Sequence, residues 1–90
     1  MLSLVWRAEA RADLRTILTY ISDRNSDAAD RLNEAIQHTA EQLPLHPDIH
    51  RPGRVAGTRE AVVHPNYILI YKVADAVEIL GVLHACQQYP

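Results

Sequence analysis

Three apolar runs crowd the last third of the chain, Ala61 to Val63, Tyr67 to Val73 and Val77 to His84, and two short breaks part them, His64-Pro65-Asn66 and Ala74-Asp75-Ala76. Each run is rich in β-branched or aromatic residues, the composition of a pleated, half-buried surface. Breaks this short oblige the strands to lie side by side and antiparallel, because a parallel pair needs a crossover of about a dozen residues or more. The Tyr67–Val73 run is apolar on both faces, which suits the centre of a sheet. Gly57 to Pro90 is therefore expected to form an antiparallel meander, and the upstream half must supply its cover.

That half changes period. Leu2, Leu4 and Trp6 alternate with Ser3 and Val5, as in a short first strand that joins the later sheet. From Ala8 the apolar positions become Ala10, Leu14, Ile17, Leu18 and Ile21, one stripe of a helix, with Arg7, Glu9, Arg11, Asp13 and Arg15 on the other faces. This helix is expected to stop near Asp23 to Asn25. Asn25 or Ser26 then caps a second helix, and Asp27 and Asp30 favour its positive start. Its stripe is Ala29, Leu32, Ile36, Thr39 or Ala40, and Leu43, and it ends at Leu43 because Pro44 removes a donor and disfavours helix in the residue before it. Two facing stripes joined by few residues make a helical hairpin that lies on one face of the sheet, with Tyr20 packed inside it. Leu45 to Val55, with Pro47, Pro52 and Gly53 and no period, reads as the connection from hairpin to meander. The expected fold is α+β: an N-terminal strand, an antiparallel two-helix hairpin, then a three-stranded antiparallel meander completing a single sheet, all in one domain over residues 1–90.

Charge narrows the partners. The formal net charge is −2, without the basic excess usual for a protein whose main partner is a polyanion. The distribution is uneven: eight acids face five arginines up to His50, whereas Arg51, Arg54, Arg59 and Lys72 face only Glu60, Asp75 and Glu78 afterwards. Any anion-facing patch belongs to the sheet half. One cysteine, Cys86, rules out an internal disulfide, and the start carries neither a basic leader nor a long apolar segment, so a reduced, cytoplasmic setting is expected, with no membrane contact. His46 and His50 are four apart, but Pro44 and Pro47 deny them the helix on which that spacing binds a metal; no metal and no cofactor are expected. Cys86 itself reads as a small residue at least partly buried.

Nearly the whole chain resembles the small toxins of the RelE/ParE superfamily, the toxic half of bacterial type II toxin–antitoxin pairs. The resemblance is carried by WRAEARADLRTILTYISDRNSDAADRL at the start, GRVAGTREAVVHPNYILIYKV in the centre and VEILGVLHACQQYP at the end. It implies a cognate antitoxin whose C-terminal segment lies against the toxin in a hetero-oligomer. It implies one of two targets: DNA gyrase, as for ParE-like toxins, or messenger RNA in the ribosome, as for RelE-like ones. A third possibility is an inactive relative that only binds its antitoxin.

The ribonuclease alternative needs a base for the 2′-hydroxyl, cations for the phosphate and an acid for the leaving oxygen, without a metal. Arg59 is its phosphate clamp with Arg54 and Lys72 assisting, His84 its base or acid, and Tyr71 or Tyr89 its proton donor or stacking ring. Against it, the tail after His84 reads Ala85, Cys86, Gln87, Gln88, without the end-of-chain cations that RelE-like ribonucleases generally carry. The ParE-like alternative requires no catalytic set and is favoured. Arg54, Arg59, Lys72, Gln87 and Tyr89 are then contacts for antitoxin or target, along with an edge strand and the exposed arginine-bearing helix faces. Plainer readings stand beside these: Arg59 bridging to an acid, His84 as a satisfied residue where a strand runs out, and Tyr67 and Tyr71 as core.

Overall fold

The computed structural model of the chain describes residues 2–86. Its elements are β1 (Ser3–Trp6), α1 (Ala8–Ser22), α2 (Ser26–Gln42), β2 (Arg51–Pro52), β3 (Thr58–His64), β4 (Tyr67–Val73) and β5 (Ala76–His84). The two helices form the expected hairpin. The Asn25 side chain accepts from the Ala28 N–H at 3.0 Å, satisfying one of the orphan donors at the start of α2, and Leu43 closes the helix just before Pro44. The α2 stripe is buried as the spacing requires, at Ala29, Leu32, Ile36, Ala40 and the capping Leu43. On α1 only Ala10 is fully buried, while Leu14, Ile17, Leu18 and Ile21 are half-buried against the same core.

The sheet runs in the order β1-β5-β4-β3-β2. The β3, β4 and β5 strands make the antiparallel meander, and β4 is its centre: Ile68, Leu69, Ile70 and Tyr71 are all buried, so both faces of this strand lie away from water. β1 joins β5 in parallel, Leu4 opposite Val77 and Trp6 opposite Ile79. That pairing is open to β1 because both helices intervene before the chain returns to the sheet. The helices cover one face, α1 over β5 and α2 over β3. Tyr71, Ile36, Leu43, Leu69 and Ile79 are completely enclosed there, each worth roughly 1.5–3 kcal/mol of apolar burial.

Three expectations need correcting. The segment expected to be a plain connection contains β2, which pairs with β3 at Arg51↔Glu60 and Pro52↔Arg59. A two-residue strand has no period to read, and Pro52 is tolerated there because its missing N–H falls at the sheet edge. The turn back into β3 depends on two glycines: Gly57 adopts φ +83°, and a side chain at Gly53 would collide with Thr58. Second, Tyr20 does not pack in the hairpin; it is 59% exposed, because Ile17, Leu18 and Ile21 already fill the sheet-facing side of that turn of α1. Third, Cys86 is exposed beyond the end of β5.

Candidate functional site

Arg59 and Tyr71 stand opposite one another on β3 and β4 and point to the helix-covered side, where the chain emerging from α2 passes. The Arg59 guanidinium donates to the carbonyls of His50 at 2.7 Å and Asp48 at 3.2 Å, and lies 3.6 Å from the Asp48 carboxylate. The Tyr71 hydroxyl donates to the Pro47 carbonyl at 2.8 Å, and the His50 ring meets the Tyr71 ring edge-on at 6.0 Å. These two side chains therefore bind the irregular 47–50 segment to the sheet, giving its carbonyls the donors that no ladder provides. Burial raises the Tyr71 hydroxyl pKa above its ordinary value, opposed by Arg59 and aided by Asp48; burial and then the Arg59 charge lower that of His50. Both shifts favour the neutral side chain.

His84 lies at the other end of the sheet. It pairs with Tyr67 across β4 and β5, the rings 5.3 Å apart, and His64 flanks the same tyrosine at 5.9 Å. The two histidines do similar work: His64 Nδ1 accepts from the Asn66 N–H at 3.0 Å and His84 Nδ1 from the Cys86 N–H at 3.2 Å, and the Ala85 N–H donates to the Asn66 carbonyl at 2.7 Å. Tyr67 and Tyr71 are four residues apart on β4, roughly 13 Å at a strand's rise of ~3.3 Å per residue. The structure thus brings Arg59 and Tyr71 together and leaves His84 at a distance from both.

The remaining sequence candidates are dispersed. Lys72 Nζ is 3.6 Å from Glu78, which also accepts from Arg7 at 2.9 Å, so the three form a charged chain across β4, β5 and the end of β1. The Arg7 hydrogen bond is the main reason the Glu78 carboxyl titrates below its usual value. Arg54 is exposed in the turn between β2 and β3. Gln87 and Tyr89 lie outside the described residues. Among the described residues no group of three or more His, Cys, Asp or Glu side chains is arranged to hold a metal. Among the described residues no helix is long and apolar enough to cross a membrane.

Three polar arrangements escaped the sequence. Asp13 of α1 accepts from the Val82 N–H at 3.1 Å, where β5 bulges: Ile70 pairs with Gly81 and Tyr71 with Ile79, so Leu80 is the extra residue. The carboxylate supplies an acceptor to an amide at this irregularity, and Gly81 leaves room for it, since a Cβ there would stand 3.1 Å from Asp13 Oδ2. The expectation that Asp13 lies on an outer face of α1 is thereby corrected: it falls three residues after Ala10 and four before Ile17, inside the apolar stripe. The second is Glu60, buried on the face away from the helices, with Oε1 accepting from Arg51 Nε at 2.9 Å and Oε2 unpartnered among the described residues. The third is Tyr20 with Arg24, whose guanidinium carbon lies 3.7 Å from the ring centroid. Arg24 lies in the turn after α1, and nothing in the sequence marks it as stacking on a tyrosine four residues earlier.

The two-helix hairpin over a five-stranded mixed sheet is a fold already seen in solved structures. A chain of the chromosomal ParDE TA system from P. aeruginosa superposes with a TM-score of 0.81 over 93% of this chain and 96% of its own, at 22% identity. HP0894 of Helicobacter pylori, determined in solution, gives 0.62 over 99% and 100% at 18% identity. At these identities the likeness is one of fold. The sequence goes further: residues 4–89 match the family model described as the ParE toxin of the type II toxin–antitoxin system parDE. "Putative toxin Y4kP" of Sinorhizobium fredii is 40% identical over 86 residues, 94% of this chain and 90% of that one. "Toxin RelE2" of Caulobacter vibrioides is 36% identical over 88 residues, 97% and 99% of the two chains. The chain belongs to the ParE toxin family, within the RelE/ParE superfamily of type II toxins.

Proposed function

We propose that this toxin arrests growth by poisoning DNA gyrase in the cytoplasm, that residues 1–90 act as one toxin domain, and that a co-encoded antitoxin neutralises it in a hetero-oligomer. The observation that carries the choice of target is the separation of the groups a metal-free ribonuclease would need. A general base contributes only about 10²- to 10⁴-fold, and only within hydrogen-bond reach of the proton it takes. His84 sits roughly 13 Å along β4 from the Arg59–Tyr71 pair. The Arg59 guanidinium and the Tyr71 hydroxyl, moreover, are engaged with the carbonyls of the 47–50 segment. A poison that acts by binding has no such geometric demand.

For the antitoxin we propose one edge of the sheet and a set of polar side chains. β2 covers β3 only at Glu60 and Arg59, so the outer edge of β3 from Ala61 to His64 lacks a strand partner among the described residues and can accept one from another chain. Arg54, Lys72, Gln87 and Tyr89 remain the proposed polar contacts for antitoxin or target, Arg59 acting there through the loop it holds. The deciding experiment gives purified toxin either gyrase with supercoiled plasmid or translating ribosomes with message. Stabilised double-strand breaks in the first are expected; message cuts in the ribosomal A site, abolished by His84→Ala or Arg59→Ala, would establish the ribonuclease alternative instead. The antitoxin is tested by co-expressing the neighbouring small reading frame, which is expected to relieve the arrest.

A further inference from the structure

Arg7, Arg11 and Arg15 recur every four residues, so they form a row along one side of α1 about 12 Å long, at ~1.5 Å of rise per residue. The acids Glu9 and Asp13 each follow an arginine by two residues and therefore fall on the opposite side of the helix. Arg7 is held by Glu78, but the same carboxylate also faces Lys72, so one acid there serves two cations. The Arg11 and Arg15 guanidinium groups have no ion pair or hydrogen bond among the described residues, unlike those of Arg7, Arg24, Arg51 and Arg59. Both side chains line a concavity of about 390 Å³ together with Trp6, Leu14 and Gln37, and no acid stands in its wall. Trp6 is half-buried against the core, where an indole N–H usually finds an acceptor, yet this one has none among the described residues.

We propose that this concavity and the arginine row bind the phosphate backbone of duplex DNA, Arg11 and Arg15 donating to phosphate oxygens beside the Trp6 N–H. A wall of donors without an acid takes an oxyanion, and the row decides which kind. A lone carboxylate would meet one of the cations, whereas cations in ~6 Å steps match an anion that repeats its charge, and the phosphates of a DNA strand recur every ~3.4 Å along the duplex axis. Contacts of this sort position a protein on DNA without reading its sequence. The choice of DNA over RNA rests on the gyrase reading above, in which the toxin works beside DNA. The net charge of −2 is no obstacle. Charges more than about 8 Å apart are largely screened at physiological ionic strength, so a phosphate meets the local cations and not the total.

The test titrates the full-length toxin, without gyrase or antitoxin, with a mixed-sequence DNA duplex at low salt. Trp6 is the only tryptophan, so its fluorescence reports the site directly, while the anisotropy of a labelled duplex reports binding. The affinity is expected to fall with salt, with a slope of about −2 to −3 in log–log form for two or three phosphates. Arg11→Gln and Arg15→Gln should each weaken binding about 5-fold at low salt and flatten the slope by about one. Arg31→Gln, an exposed arginine of α2 outside this concavity, should bind as wild type does. All three side chains are exposed, so thermal melts of the variants should match wild type; should one melt early, Arg15→Lys, which keeps the charge, is expected to bind within about 3-fold of wild type. The proposal is overturned if wild-type toxin binds no duplex at low salt, if Arg11→Gln and Arg15→Gln bind it unchanged, or if Arg31→Gln loses as much as they do. It is equally overturned if the same two arginines bind an RNA duplex more tightly than DNA, or if their loss weakens antitoxin binding and leaves duplex binding intact, which would give the row to an acidic protein. Duplex binding through Arg11 and Arg15 in a toxin that yields no gyrase breaks would keep this site and refute the poison reading; gyrase breaks from a toxin that binds no duplex would do the reverse.

Discussion

Arg59→Ala separates a structural arginine from a ligand-binding one. In the folded chain the guanidinium makes two hydrogen bonds, to the His50 carbonyl at 2.7 Å and the Asp48 carbonyl at 3.2 Å. Hydrogen bonds from a charged donor are worth about 1.5–3 kcal/mol each when sheltered. Here the His50 bond is half-buried, the longer Asp48 bond is open to water, and the 3.6 Å pair with the Asp48 carboxylate adds little because that side chain is 81% exposed. The net loss should be about 2 kcal/mol, which in a domain of this size lowers the melting temperature by about 8–16 °C. Arg59→Lys, able to reach one carbonyl, should fall between the two. Tyr71→Phe deletes the neighbouring bond to Pro47 and should cost about 1 kcal/mol. Because both side chains hold one segment, the double variant should lose less than the sum, by at least about 0.5 kcal/mol. The assay is urea and thermal denaturation of the four variants and wild type, followed by circular dichroism. A melt of Arg59→Ala within about 2 °C of wild type, or strict additivity with Tyr71→Phe, would refute the loop-clamp reasoning and return Arg59 to the list of side chains free for a phosphate or a partner.

Three further outcomes follow from the structure. Asp13→Ala should destabilise by about 1–2 kcal/mol, leaving the Val82 N–H without its acceptor. Gly81→Ala should be milder in the Asp13→Ala background than in wild type, because the carboxylate its Cβ would crowd is gone; equal costs in both denaturation series would count against the contact. His50 predicts a pH effect. Its folded pKa lies below the ordinary 6.5 through burial and the Arg59 charge, so beneath pH 6.5 the unfolded chain takes up a proton that the folded chain resists. The contribution is complete above 6.5 and is lost as pH falls from there toward the folded value. His50→Gln should therefore show a shallower loss of urea midpoint between pH 7 and 5 than wild type; parallel curves would exclude the shift.

Most of the fold was legible because its signals are local. The helical stripes, the Asn25 cap, the Leu43-Pro44 stop and the three β-rich runs are each written within a few residues, and they come out where the periods put them. The parts that were not legible are those in which residues distant in sequence decide the outcome. β2 exists only because β3 is there to pair with it, and Tyr20 is exposed because Ile17, Leu18 and Ile21 already fill the space against the core. The candidate site divides in the same way. That Arg59, Tyr71 and His84 carry the right chemistry is a property of residue type, read directly from the chain. Which of them meet is a property of register: Arg59 falls opposite Tyr71 and His84 opposite Tyr67, four residues along the same strand. The sequence alone determined every element except β2, their order and the family to which they belong, since hydrophobic period and turn chemistry act over short stretches of chain. Tertiary structure alone decided that Arg59 and Tyr71 hold a loop, that His84 stands apart from them, and that Asp13 meets the Val82 N–H, because each depends on a partner brought near only when the sheet closes under the helices.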